Sequence, residues 1–175
     1  MSVQEHKMEA PKTASCKIMT VSDTRSMETD KSGKLIRTLL QEAGHQIADY
    51  VIVKDEKNLI KYEIEKGSKD PQVDVILLNG GTGIAQRDVT IETVQKLFTK
   101  VIVGFGELFR MLSYTEDIGS AALLSRATAG VIHHTAVFAM PGSSGAVRLA
   151  MTKLIIPELT HVIRELHKDL PETRA

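Results

Sequence analysis

The polar residues best suited to holding or transforming a ligand fall into a few short stretches: Ser22-Asp23-Thr24-Arg25-Ser26, Lys54-Asp55, Asn79-Gly80-Gly81-Thr82-Gly83 and Pro141-Gly142-Ser143-Ser144. Glycine N–H groups beside Asp, Ser, Thr and Arg side chains are what a phosphate or a hard cation requires. Each stretch alone has a plainer use. Ser-Asp-Thr-Arg-Ser suits any turn, Asp55 suits a helix N-cap, and Gly-Gly-Thr-Gly serves a tight turn as readily as a phosphate cradle. Pro141-Gly142-Ser143-Ser144 suits a turn entering a helix. Gly83 is followed by Ile84-Ala85-Gln86, so the run is not the dinucleotide fingerprint. His133 and His134, as neighbours in an extended chain, point to opposite faces and are read as turn residues rather than as a metal pair. Arg87, Arg110 and Arg126 each read, singly, as solvated or paired surface charges.

The order of elements brings these stretches together. Cys16 to Val21, Ile47 to Val53 and Val73 to Leu78 are rich in β-branched and aliphatic residues and read as strands. Between the first two, Leu35, Ile36, Leu39, Leu40 and Ala43 recur at helical spacing, with Asp30 as N-cap and Gly44 as stop. A weaker helical pattern from Leu59 to Lys66 ends at Gly67. This βαβαβ order predicts a mainly parallel sheet with helices on both faces, because parallel neighbours need right-handed helical crossovers. Gly104 to Tyr114 and Asp117 to Ser125 read as helices. Ala127 to Ile132 and Thr135 to Met140 read as an antiparallel hairpin around His133-His134, making the sheet mixed. Val101 to Val103 is either a short strand or a loop. Ser144 to Lys168 reads as a helix that Pro157 must kink or break. In such a sheet, ligands bind at the carboxyl ends of the strands, which is where the four polar stretches lie.

Composition sets the bounds. A chain of 175 residues with 42% hydrophobic and 25% charged side chains fits one soluble globular domain, expected over residues 15–170, after a disordered tail at 1–14. Lys plus Arg and Asp plus Glu are balanced at 22 each and Trp is absent, which argues against nucleic acid as a partner. No apolar run is long enough to span a bilayer and no secretory signal is visible, so the expected compartment is the cytoplasm, with no membrane partner. Cys16, in an apolar run, is read as a buried structural residue.

The order of several motifs goes beyond these local readings: Thr-Val-Ser-Asp-Thr-Arg near the start, Gly-Gly-Thr-Gly-Ile-Ala-Gln-Arg-Asp-Val-Thr at 80–90, Gly-Phe-Gly-Glu-Leu-Phe-Arg at 104–110, Leu-Ser-Arg-Ala at 124–127 and Met-Pro-Gly-Ser at 140–143. From Cys16 to Leu170 the chain resembles the MoaB/MogA family, whose domain is also found in gephyrin. The resemblance implies a three-layer αβα sandwich with a mostly parallel mixed sheet, assembled as a homotrimer or homohexamer. It implies binding of molybdopterin and, in active members, adenylylation of its terminal phosphate by Mg-ATP with release of pyrophosphate. Asp55 and Asp88 match the catalytic acidic positions. Gly80, Gly81 and Gly83 match the glycine loop, Thr82, Ser113 and Ser125 match positions around the pterin and its phosphate, and Glu107 matches a position near the nucleotide. Ser22, Asp23, Arg25, Arg87, Pro141, Gly142 and Ser143 complete the expected substrate-binding set. Asn79 stands where Thr or Ser usually precedes the glycine loop, and altered positioning is the most that is expected of it.

That chemistry suits these residue types. A phosphate monoester, with its second pKa about 6, is already an anion at neutral pH, so its attack on the α-phosphate of ATP needs charge neutralisation more than a general base. Mg²⁺ is usually held by one or two carboxylates plus phosphate oxygens, a role for Asp55 and Asp88. Arg87, Lys54 and Arg25, in that order, are the candidates for stabilising the transferring group. Two other readings stay open: a molybdopterin-binding protein without adenylylation, and a scaffold module.

Overall fold

In a computed structural model, residues 10–170 are described; residues 1–9 of the expected tail and residues 171–175 lie outside the described residues. The chain is tied to the sheet from Ala14, which is buried, donates its N–H to His45 Nδ1 and accepts at its carbonyl from Gln46 N–H.

The first half is the expected βαβαβ run: β1 (Ser15–Val21), α1 (Lys31–Glu42), β2 (Gln46–Val53), α2 (Lys57–Lys69) and β3 (Val75–Asn79). Asp30 caps α1 by accepting from Gly33 N–H. The third strand starts at Val75 rather than Val73 and extends to Asn79. A short helix α3 (Thr90–Gln95) leads to β4 (Lys100–Val101), so the doubtful Val101 segment is a strand of two residues, and Val103 already opens α4 (Val103–Leu112). Beyond Leu112 the helix widens into a π turn over Ser113–Asp117. The helix expected at 117–125 is instead a 3₁₀ segment, Gly119–Leu124, because Gly119 adopts φ 59° and breaks the helical path. Strands β5 (Thr128–Ile132) and β6 (Thr135–Met140) form the expected hairpin, with His133 in its turn at φ 54°. Helix α5 (Ser144–Ala150) passes through a π turn at Met151–Ile155 into α6 (Ile156–His167). Pro157 opens α6 directly after that π turn, so the interruption expected of the proline falls just before it.

The six strands lie in the order β2-β1-β3-β6-β5-β4, with β2, β1, β3 and β6 mutually parallel and β5 antiparallel to both neighbours. Side chains alternating along the strands supply two separate cores. Cys16, Ile18, Val75, Leu77 and Phe138 pack under α1, α4, α5 and α6 through Ile36, Phe109, Val147 and Leu159. Met19, Val21, Ile76, Leu78 and Val137 pack under α2 and α3 through Ile60, Ile64 and Val94. These are the two helical layers of an αβα sandwich. Cys16 is fully buried as expected, and burial, reinforced by Asp74, pushes its thiol up to about 12. Among the described residues no helix is long and apolar enough to cross a membrane.

One charge interrupts the second core. Lys17 on β1 is buried, its Nζ 2.5 Å from Glu63 and 3.1 Å from Asp49, and its stem passes where Gly67 of α2 has no side chain. Replacing Lys17 by Met keeps the stem but leaves Asp49 and Glu63 without their shared buried cation, with only the exposed Lys66 4.0 Å from Glu63. We expect Lys17→Met to cost about 3 kcal/mol, the lower end for a broken buried pair, since Asp49 remains partly hydrated. Adding Glu63→Gln should return a large part of the loss. Denaturant unfolding of the single and double variants measures both, and equal stabilities for wild type and Lys17→Met would remove the triad from the account of the core.

Candidate functional site

The register places Thr20, Asn79 and Met140 side by side across β1, β3 and β6, and Val21 opposite Val53 of β2. Four loops therefore leave the sheet at one level. Strand order reverses at β1, with β2 on one side and β3 on the other, which is where a doubly wound sheet opens a crevice. Asn79 works below this crevice. It is fully buried, its Nδ2 donates to Thr20 Oγ1 at 2.9 Å, and its Oδ1 accepts from Ser32 Oγ at 2.8 Å. Asp30, beside it, accepts from Gly33 N–H at 2.9 Å and from the Tyr50 hydroxyl at 2.6 Å. Burial opposes ionisation of Asp30, but hydrogen bonds from Thr20, Tyr50 and Gly33 outweigh it and hold the carboxyl below its ordinary value. The floor of the crevice is thus a closed polar network joining three strands to the start of α1.

The glycine loop follows directly. Gly80 has φ 92°, and a Cβ there would stand 2.3 Å from the Val21 carbonyl oxygen, so no side chain fits. Gly81 has φ 61°, and a Cβ on it would meet Asp55 Oδ1 at 2.6 Å; one on Gly83 would meet Asp88 Oδ2 at 2.5 Å. The two carboxylates therefore lie directly against the loop. Its carbonyls are all engaged: Gly80 O accepts from Thr90 Oγ1 at 2.9 Å, Gly81 O from Thr90 N–H at 3.0 Å, Thr82 O from Arg126 Nε at 2.9 Å, and Gly83 O from an Arg126 terminal nitrogen at 2.6 Å. Gly80 N–H donates to Met140 O. Among the described residues, the N–H groups of Gly81, Thr82 and Gly83 donate no hydrogen bond.

Asp55 and Asp88 do not cap helices. Glu56 and Val89 occupy the cap positions of α2 and α3, neither with a side-chain cap bond. Asp88 Oδ2 instead accepts from Ala85 N–H at 2.9 Å, folding the Ala85–Asp88 turn back on Gly83. Asp55 N–H donates to Asp23 Oδ1. Arg87 grips Asp23 with Nε and a terminal nitrogen, at 2.8 and 3.1 Å, and that contact holds the Asp23 carboxyl below its ordinary value. Burial, followed by the charges of Asp23 and Asp88, pushes Asp55 the other way. Among the described residues Asp23 has an ion pair, with Arg87, whereas Asp55 and Asp88 have none.

A cavity of about 360 Å³ is lined by Gly80, Gly81, Thr82, Gly83, Asp88 and Ser125, with Arg126, Pro141, Gly142, Ala121 and Leu124 closing it. Eight of the sixteen expected residues thus line it, while Asp55 lies outside the lining, against Gly81, with Asp23 and Arg87 beyond it. Ser22 accepts from the N–H groups of Thr24 and Arg25 to fold its own turn, leaving the exposed Arg25 at the margin. Ser143 caps α5 through Ala146 N–H. Glu107 is exposed on α4 and Ser113 is buried at that helix's end; neither lines this cavity. A larger cavity of about 820 Å³ opens at the opposite end of the sheet, beside His133 and His134, and contains none of the expected residues. The smaller one coincides with the strand ends and the glycine loop, and geometry favours it. Two contributors escaped the sequence reading, Thr90 and Arg126. The signal for the latter was a charge placed immediately before the apolar run of β5.

Residues 17–161 match the family model described as "Probable molybdopterin binding domain". The chain is 69% identical over 169 residues to molybdenum cofactor biosynthesis protein B of Bacillus subtilis (strain 168), covering 97% of this chain and 99% of that one. A crystal structure of a molybdenum cofactor biosynthesis protein B superimposes with a TM-score of 0.89 at 62% identity, covering 91% of this chain and 99% of the other. A MogA structure superimposes with a TM-score of 0.78 at 28% identity, covering 87% and 99%. Matched by the family model over most of its length and by these relatives over nearly all of it, the chain belongs to the molybdopterin-binding domain family of MoaB and MogA molybdenum cofactor biosynthesis proteins.

Proposed function

We propose that the crevice binds molybdopterin and adenylylates its terminal phosphate with Mg-ATP. A phosphate oxygen of the pterin attacks the α-phosphorus of ATP, the bond from that phosphorus to the bridging oxygen of the β-phosphate breaks, and pyrophosphate leaves. One observation carries this reading: two carboxylates, Asp55 and Asp88, lie against a loop whose N–H groups at Gly81, Thr82 and Gly83 make no hydrogen bond among the described residues. Among the described residues no three His, Cys, Asp or Glu side chains converge to hold a metal alone. A cation here would be shared between the two carboxylates and phosphate oxygens, the usual mode for Mg²⁺. Bound there, Mg²⁺ would supply charge neutralisation at the phosphates. Thr82 and Ser125 would bind the pterin side, and Arg87, by exchanging Asp23 for phosphate, would add positive charge. The second reading, binding without adenylylation, draws on the chain's greater identity to protein B relatives than to MogA.

Pyrophosphate release from purified protein, molybdopterin and Mg-ATP separates the two. We expect pterin-dependent release in wild type and at least a hundredfold slower release in Asp88→Asn, with pterin affinity within about threefold of wild type, since Asn keeps an oxygen to accept from Ala85 N–H. Bound pterin without pyrophosphate in wild type would leave the binding protein. Normal turnover in Asp88→Asn would remove Asp88 from the chemistry.

The charge on Asp55 makes a separate prediction. With its folded pKa above the unfolded value, the native state binds more protons across that window, so stability falls as pH rises through it and stays lost at neutral pH. We expect Asp55→Asn to melt higher than wild type at pH 7, the difference vanishing below the carboxylate range, while its turnover is lost. A lower melting temperature at pH 7 would contradict the electrostatic description.

For assembly we propose a homotrimer or homohexamer. Its support is a run of exposed apolar side chains along β4, α4 and the turns beyond: Val101, Val103, Leu108, Met111, Tyr114 and Leu123, the last 87% exposed. Light scattering at micromolar concentration should give a mass of three or six chains; a strict monomer would overturn this.

A further inference from the structure

We propose that Arg126 is a positioning residue that holds the glycine loop in its anion-receiving form. The inference rests on the reading of the crevice as a phosphate site and extends it to a residue outside the reacting groups. A flexible Gly-Gly-Thr-Gly segment can present either its carbonyls or its N–H groups to a ligand, and only the N–H face receives phosphate. Peptide C=O and N–H groups point in opposite directions, so fixing the carbonyls fixes the amides. Arg126 bonds two consecutive carbonyls, those of Thr82 and Gly83, from one planar guanidinium, while Thr90 bonds those of Gly80 and Gly81. Glu92 of α3 grips the same guanidinium from the other side, and that hydrogen bond holds the Glu92 carboxyl below its ordinary value. The fork geometry is specific to Arg: a lysine ammonium is a point donor on a flexible stem and cannot span two neighbouring carbonyls and a carboxylate in one plane. With four donor contacts directed to these three partners, Arg126 acts on a ligand chiefly through the loop.

The chain around Arg126 explains how it is held. Residues 125–127 link the 3₁₀ segment to β5, so the guanidinium reaches the loop from the start of the strand beside β6 and lines the cavity. α3 supplies both remaining partners of the loop, Thr90 for the first two carbonyls and Glu92 for the Arg126 fork. One helix and one arginine thus impose a single backbone orientation on the four residues 80–83.

The test uses inorganic phosphate as the probe and the backbone amides as the readout, so it does not depend on turnover. In ¹⁵N-labelled wild-type protein, the amides of Gly81, Thr82 and Gly83 should shift together and saturably on phosphate titration. In Arg126→Lys the same amides should require at least fivefold more phosphate, with a melting temperature close to wild type. Glu92→Gln, which keeps the arginine but loosens its third contact, should give an intermediate rise, and carries the test alone if Arg126→Lys does not fold. Wild-type titration curves in a folded Arg126→Lys, or, failing that, in Glu92→Gln, would overturn the proposal, as would wild-type amides that ignore phosphate. Loop amides that respond to phosphate in a protein that releases no pyrophosphate would leave the positioning role standing and remove only the adenylylation reading.

Discussion

The backbone of β3 leaves the sheet so close to β1 that a Cβ at Gly80 would sit 2.3 Å from the Val21 carbonyl oxygen. Most of the site follows from that contact. Only glycine passes, and it does so at positive φ, which turns the chain sharply over the end of β1 and delivers Gly81 to Thr90 and Asp55. The close approach is sustained from below by Asn79, Thr20, Ser32 and Asp30, whose hydrogen bonds fix the ends of β1 and β3 against the start of α1. It is sustained from the side by Thr90 and Arg126. A loop that is short, glycine-rich and bonded at every carbonyl has little freedom left, and pre-organisation of this kind is what a phosphate site requires.

Charge is treated differently in the core and in the crevice. Lys17 is buried with both of its carboxylate partners in place, a closed arrangement that has no electrostatic work left to do. In the crevice, Asp23 is neutralised by Arg87, while Asp55 is partly buried beside the charges of Asp23 and Asp88, and among the described residues neither Asp55 nor Asp88 has an ion pair. Such an arrangement is unfavourable in the isolated protein and becomes favourable when a divalent cation and phosphates share it. The conflict between local stability and the ligand's needs is a physical reason to place function here rather than in the larger cavity at the other end of the sheet.

How much of this was legible in the sequence depends on the range of the interaction concerned. The strands, α1 with its Asp30 cap, the hairpin at His133-His134 and the interruption near Pro157 are written in local periodicity and turn chemistry, and they are found in the fold. The apolar residues at 117–125 mimic a helix, whereas the chain forms a π turn at Ser113–Asp117 and, past Gly119 at positive φ, a 3₁₀ segment. Asp55 and Asp88 could be named from the motif, but whether they cap helices was decidable only once Glu56 and Val89 were seen in the cap positions. Arg126 looked like an ordinary surface charge because its partners, Thr82, Gly83 and Glu92, are distant in the chain. Asn79 looked like a variant ligand-side residue, yet its side chain turns down into the floor.

Following the α-phosphorus of ATP shows whether the crevice joins the pterin's phosphate to an adenylyl group. With molybdopterin, Mg²⁺ and ATP labelled at the α-phosphate, the label should become attached to the pterin, while label at the γ-phosphate should appear only in pyrophosphate. A pterin that binds at the crevice yet acquires no α-label, under conditions where ATP also binds, would contradict adenylylation there.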